Sequence, residues 1–219
     1  MVELVVIRHG QAQFGAAGAE GYDQLTDLGA RQSQRLGAWL RDMGWRPDRV
    51  ACGTLNRHFQ TLEAMGFSGE IERHGGWNEY DFHDLLAARF GGALPEDVRQ
   101  DRKTHFRALK ETLALWQSDA LDGAGESWGA FCDRIEQARL SATRPDAERV
   151  LVVSSGGAIA QMTSACLGAT PAKMIALNLQ LRNTSVNRFI VTRTSMFMNE
   201  FNAIPHLSNP NDAALISYS

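Results

Sequence analysis

The chain has 219 residues, 44% of them hydrophobic, which is enough to bury one sizeable core. Its length suits a single domain over 1–219 with an insertion better than two domains. A net charge of -3 and a pI of about 6.1 exclude a global field for nucleic acid, so any anion site must be local.

Residues 2–7 (VELVVI) form a β-branched apolar run without a basic leader, too short for a secretory signal or a membrane span. The run predicts a buried strand that delivers Arg8-His9-Gly10 at its carboxyl end, where open α/β sheets bind ligands. After a Gly/Ala-rich loop over 11–24, Thr26 offers an N-cap, and Leu36, Leu40 and Met43 make the stripe of a helix ended by Gly44. A second strand is expected over 49–52, then a helix in which Leu55, Phe59 and Leu62 share one face and Arg57 points elsewhere. From about 84 to 145 the pattern is helical, with stripes Phe106, Leu109, Leu113, Trp116 and Trp128, Phe131, Ile135, and is read as the insertion.

The run 150–153 (VLVV) is the strongest strand signal, bounded by Ser154-Ser155-Gly156-Gly157 and a helical 158–162. Residues 185–192 and 195–202 suit a terminal hairpin, followed by an irregular tail. The expected architecture is an α/β three-layer sandwich: a mostly parallel central sheet, helices on both faces, and the helical insertion at the rim of the site. The cysteines Cys52, Cys132 and Cys166 are odd in number and lack CxxC spacing, so free thiols and a cytoplasmic location are expected.

Alone, Arg8-His9-Gly10 is a weak signal. In order after it come Leu25-Thr26-Asp27-Leu28-Gly29, then Thr54-Leu55-Asn56-Arg57-His58-Phe59-Gln60-Thr61, Asn78-Glu79-Tyr80-Asp81 and Val153-Ser154-Ser155-Gly156-Gly157. This ordered set resembles the histidine phosphatase superfamily, also called phosphoglycerate-mutase-like, over most of the chain. The resemblance implies that His9 accepts a phosphoryl group and that Arg8 and Arg57 bind its oxygens. A neutral imidazole approaching a phosphate dianion needs such cations, and the guanidinium fork suits bidentate phosphate contact. It further implies that Glu79 protonates the leaving alkoxide and later activates water, with neighbouring Asp81 as the alternative acid. Gln11 and Thr26 match positions at the phosphate or substrate mouth, with a structural role for each equally open.

The family normally reads Val-Ser-His-Gly-Gly where this chain has Ser155 and Gly156, so an expected imidazole is replaced by a hydroxyl. Losing such a donor costs on the order of 10²–10³ in rate, part of which a serine recovers. His83 and His206 are candidate substitutes, with a structural role preferred for both. The function expected is a phosphomonoester phosphatase acting through phosphohistidine, weakened by Ser155. The alternatives are a non-catalytic relative that binds a phosphorylated ligand or docks a partner, and a mutase-type phosphotransferase. Gly15 stands where mutase-like relatives carry asparagine, which counts against the last.

A serine hydrolase on Ser155 lacks the G-x-S-x-G elbow. A metal site using His74, His83 or His206 lacks paired spacing, and Gly15, Gly18 and Gly21 do not form the dinucleotide fingerprint, so no metal or other cofactor is expected. The expected partner is a small phosphorylated substrate, with no nucleic acid or membrane. Trp77, Tyr80 and Trp128 either line its pocket or belong to the core. Apolar residues on the terminal hairpin leave a homo-oligomer open.

Overall fold

The computed structural model of the chain describes residues 1–13 and 23–218. Its six strands form one sheet in the order β3-β2-β4-β1-β5-β6. The strands β1 (Val2–Arg8), β2 (Arg49–Cys52), β3 (Glu72–Arg73) and β4 (Arg149–Ser154) run parallel. β5 (Val186–Val191) is antiparallel to β1 and to the edge strand β6 (Met196–Ala203), so the expected hairpin closes one side. The helices are α1 (Asp27–Asp42), α2 (Asn56–Met65), α3 (Phe82–Phe90), α4 (Glu96–Gln100), α5 (Arg102–Gln117), α6 (Trp128–Ala142), α7 (Gly156–Cys166) and α8 (Pro171–Asn178).

Because side chains alternate along a strand, the central strands feed two separate cores. Val5, Ile7, Leu151 and Val153 meet Leu36 and Leu40 of α1 and Leu62 and Met65 of α2. Leu4, Val6, Val150 and Val152 face the other way, against Phe131 and Ile135 of α6, Ile159 and Met162 of α7, and Trp116 of α5. Helices therefore cover both faces of a mostly parallel sheet, as expected. Parallel strands buried on both sides need near-continuous apolar runs, which is why 2–7 and 150–153 were so legible.

Helices α3 to α6 occupy the interval between β3 and β4, where the pattern predicted helical structure. Some expectations need correction. Leu55 is the N-cap of α2 and Phe59 is only partly buried, stacked 4.1 Å from the Arg73 guanidinium. The face of α2 that turns inward carries Arg57, His58, Thr61, Leu62 and Met65, because part of it meets the polar turns at Gly10 and Ser155 and not the core. Met43, placed in the α1 stripe, is the 66% exposed C-cap of that helix. The two-residue β3 was too short to predict, and α8, entered through Pro171 at its first turn, was not anticipated. The tail winds into two 3₁₀ turns, Pro205–Leu207 and Pro210–Leu215.

Helices α1 and α2 cross at Gly37, where an added Cβ would lie 2.0 Å from the Met65 carbonyl oxygen. Gly37→Ala gains about 1 kcal/mol of helix propensity. It also forces a backbone clash of the overpacking kind that costs roughly 1–3 kcal/mol. The clash dominates, so urea denaturation should show a net loss of stability; an unchanged or raised midpoint would contradict this packing.

Candidate active site

Adjacent strands β1 and β4 finish in register, Arg8 opposite Ser154, and thereby bring two polar turns side by side. The His9 amide donates to the Ser154 carbonyl at 3.0 Å. The His9 ring is 1% exposed, and its Nδ1 lies 2.7 Å from the Gly10 carbonyl. A carbonyl only accepts, so Nδ1 carries the proton and Nε2 keeps its lone pair in the neutral ring. Gly10 is required by close approach: a Cβ there would lie 2.5 Å from the Gly29 carbonyl oxygen of α1. Its amide donates to Thr61 Oγ1 at 3.1 Å, which fastens the turn to α2.

Arg8 and Arg57 are both buried, 6% and 5% exposed. Arg8 donates to the Leu181 carbonyl. Arg57 pairs with Asp23 at 3.1 Å, and the same carboxylate accepts the Asn56 and Arg57 amides at 2.9 and 3.3 Å, capping α2. The His9 pKa lies well below the ordinary 6.5 because burial penalises its cation, an effect reinforced by Arg57, Arg8 and His58 and opposed by the Gly10 hydrogen bond. His9 is therefore neutral at pH 7.

Glu79 Oε2 accepts the Gly157 amide at 3.0 Å, and Oε1 accepts the Tyr80 amide at 3.2 Å. Its pKa is raised above the ordinary carboxyl value, because desolvation outweighs those amides and the attraction of Arg57 and Arg8. Gly157 admits it: a Cβ at that position would lie 2.1 Å from Glu79 Oε1. Arg134 of α6 holds the segment from behind, donating to the Asn78 and Glu79 carbonyls at 2.9 and 3.2 Å.

Asp81 instead caps α3, accepting the His83 and Asp84 amides, and is exposed. Of the two carboxylates, Glu79 is the one beside the guanidinium groups. Gln11 and Thr26 bond to each other, Thr26 Oγ1 donating to Gln11 Oε1 at 2.9 Å, while Thr26 caps α1. These two residues join loop to helix at the edge of the site. Gly156 lies against Arg8, its Cβ position 3.5 Å from Arg8 Nε. Buried Ser155 faces His58, with Oγ and Nε2 separated by 2.7 Å, and the His58 and His9 ring centroids are 5.6 Å apart.

Among the other histidines, His83 is exposed at the rim of a groove shared with Arg57 and Glu79, and His74 bonds the Gly76 amide. His206 is buried behind the site, its Nε2 2.9 Å from Thr184 Oγ1. Thr184, at φ 57°, donates its amide to the Arg8 and His9 carbonyls, so His206 braces the turn through Thr184. From Arg8 and Glu79 a pocket opens between Tyr80, Phe82, Phe106, Leu109, Leu113 and Ile175, with His105 and Lys110 also lining it. Tyr80 thus lines the pocket. Trp77 is 1% exposed in the core and Trp128 meets Trp116 edge to face. Gly15, Gly18, Gly21 and most of the 11–24 loop lie outside the described residues.

Residues 4–204 match the family model described as histidine phosphatase superfamily, branch 1, and the chain belongs to that superfamily. A 2,3-bisphosphoglycerate-dependent phosphoglycerate mutase of Methylorubrum populi is 28% identical over 192 residues, covering 80% of this chain and 84% of that protein. Among solved structures, phosphoserine phosphatase from Entamoeba histolytica in complex with 3-phosphoglyceric acid superposes with a TM-score of 0.69 at 21% identity, covering 94% and 100% of the two chains. A mycobacterial glucosyl-3-phosphoglycerate phosphatase with inorganic phosphate gives 0.65 at 22% identity, covering 95% and 100%. Among the described residues, no helix is long and apolar enough to cross a membrane.

Three residues of this neighbourhood escaped the sequence reading. Asp23 and Arg134 are ordinary charges whose partners lie 34 residues and 55–56 residues away, so nothing local marks them. His58 stood beside Arg57 in a recognised segment, and its first-turn position on the same helix was the available signal.

The His206 pKa is depressed by burial from 6.5 to about 4. The unfolded chain therefore takes up a proton first on acidification. The stabilisation is complete above pH 6.5 and is lost as pH falls towards 4, by about 3 kcal/mol at 1.36 kcal/mol per pH unit. His9 and His58 act in the same direction. Urea midpoints should fall from pH 7 to 4, and His206→Gln should flatten that fall; an equal slope in both proteins would contradict it.

Proposed function

We propose that the chain is a phosphomonoester phosphatase working through a phosphohistidine on His9. The observation that carries this reading is the neutral ring itself. Its proton is tied down on Nδ1 by Gly10, and its nucleophilic Nε2 belongs to a ring held in the field of two buried guanidiniums.

Nε2 attacks phosphorus, the phosphorus–oxygen bond to the leaving group breaks, and the alkoxide takes the Glu79 proton. The raised Glu79 pKa supports its service as that acid. The resulting carboxylate then removes a proton from water. The new hydroxide attacks phosphorus, the phosphorus–nitrogen bond breaks, and phosphate departs with His9 neutral again. Throughout, Arg8 and Arg57 hold the non-bridging oxygens, a role that fixed cations in a desolvated site perform at no reorganisation cost.

The pocket beyond Arg8 and Glu79 supports a small phosphate ester whose alcohol has an apolar or aromatic body, since Phe82, Phe106, Leu109, Leu113 and Ile175 line it. A phosphoglycerate-mutase reading draws on the named relatives. It needs a second anion site, for which Lys110 and His105 are the candidates in this wall. Cytoplasmic residence is supported by three free cysteines, with Cys52 and Cys132 pushed up to about 11 by burial.

Quenching into alkaline detergent during turnover, which preserves a phosphorus–nitrogen bond, should trap phosphate on wild type and none on His9→Ala. Indistinguishable background labelling and turnover across a panel of phosphomonoesters would end the enzymatic reading. Retained phosphate affinity in that case would favour a binding protein.

Glu79→Gln should lower turnover of alkyl phosphates by roughly 10²–10⁴-fold. It should still release one equivalent of p-nitrophenolate in a burst, because that leaving group needs no proton. Loss of the burst would place Glu79 elsewhere in the mechanism. In wild type, kcat/KM should rise with pH below 6.5, where His9 loses its proton, and fall only above 4.5, where Glu79 does. A rising limb at or above the ordinary imidazole value would contradict the neutral nucleophile.

A further inference from the structure

We propose that His58 is a positioning residue for the phosphoryl-transfer step, orienting the Ser155 hydroxyl so that its proton is donated to an oxygen of the group carried by His9. This rests on the phosphohistidine reading above.

Four observations support the pairing. Both residues are fully buried, 0% exposed, and they meet at 2.7 Å beside His9, whose ring centroid is 5.6 Å from that of His58. Ser155 occupies the N-cap position of α7, where a serine ordinarily bonds the helix amides, yet its side chain makes no capping bond and turns to His58. The ring is admitted by Gly53 at the end of β2, where a Cβ would lie 2.2 Å from His58 Nδ1. Nδ1 is buried and has no hydrogen-bond partner among the described residues, so the ring is held on the protein side through the Ser155 contact alone.

The two tautomers of the neutral ring have different consequences. With the proton on Nε2, His58 donates to Ser155 Oγ and the serine proton is left for a further acceptor. With it on Nδ1, Ser155 donates to His58 and presents only lone pairs outward. An anion on His9 favours the first, because lone pairs facing phosphoryl oxygens repel them. The chain then runs from His58 Nε2–H to Ser155 Oγ–H to a phosphoryl oxygen, and each bond polarises the next. Burial and Arg57 keep the His58 pKa well below 6.5, so the imidazole adds no third cation beside His9. The family pattern carries an imidazole where this chain has Ser155. An imidazole is present in that neighbourhood, supplied from α2.

The test measures phosphohistidine formation by rapid quench into alkaline detergent with p-nitrophenyl phosphate, alongside kcat, KM and thermal melting. The proteins are wild type, His9→Ala, His58→Ala, His58→Gln, Ser155→Ala, the His58→Ala/Ser155→Ala double variant and a His58→Ala/Ser155→His transplant. Each single alanine variant should lower kcat by roughly 10–10²-fold with KM changed far less, the mark of a donor used in the transition state. The double variant should be no worse than the poorer single one, because the pair acts as a unit. His58→Gln, which keeps a donor of similar reach, and the transplant, which returns an imidazole to the emptied space, should each recover about tenfold over His58→Ala.

A folded His58→Ala at wild-type kcat overturns the proposal, as does a double variant whose loss is the product of the single losses. Should His58→Ala fail to fold, Ser155→Ala decides by itself: wild-type kcat there overturns the proposal and a selective kcat loss supports it. If His9→Ala is inactive while the 58 and 155 series is silent, the phosphatase reading stands and this inference falls. If His9→Ala turns over like wild type, both fall.

Discussion

Two buried guanidinium groups beside one imidazole set the terms for everything around them. A third positive charge in that space would be opposed both by desolvation and by direct repulsion, so His9 must stay neutral, and a neutral imidazole is what phosphorus can be attacked by. The same cations require compensation. Asp23 supplies it for Arg57 at 3.1 Å, and the Leu181 carbonyl accepts from Arg8. Glu79 is close enough to feel both charges yet sufficiently desolvated to hold its proton more tightly than an exposed carboxyl, the combination general acid catalysis requires.

The fold serves this constraint through parallel strands and glycines. β1, β4 and β2 all end at one edge of the sheet, so residues 8–9, 155–157 and 57–58 converge though they are far apart in sequence. At that edge the backbone itself comes close to neighbouring groups. Gly10 is pressed against α1, Gly157 against the Glu79 carboxylate, and Gly53 against the His58 ring. At Gly157 and Gly53 a functional group stands where a methyl would otherwise be, and at Gly10 the turn bearing His9 closes on the backbone of α1, so the positions of His9, Glu79 and His58 are fixed by missing side chains as much as by hydrogen bonds.

The buried strands and both sheet faces could be read from the sequence because doubly covered parallel strands must be continuously apolar. Arg8, His9, Arg57 and Glu79 could be read because their order and segments resemble a known family, and coordinates bring those four together at one edge of the sheet. What local pattern could not reveal was any contact made across elements. Gln11 and Thr26 bond each other, a partnership that individual loop residues do not advertise. His206, singled out as a candidate, supports Thr184 from behind, and Asp81 caps a helix. His58 carries no local signal beyond its place beside Arg57; its 2.7 Å approach to Ser155, 97 residues later, gives it meaning.

Cocrystallisation with orthovanadate tests the convergence of these groups most directly. Vanadium should lie in line with His9 Nε2, its equatorial oxygens held by Arg8 and Arg57 and its apical oxygen directed at Glu79. Vanadate bound away from His9, or reached by one guanidinium while the other faces elsewhere, would contradict a phosphoryl-transfer centre at this edge of the sheet.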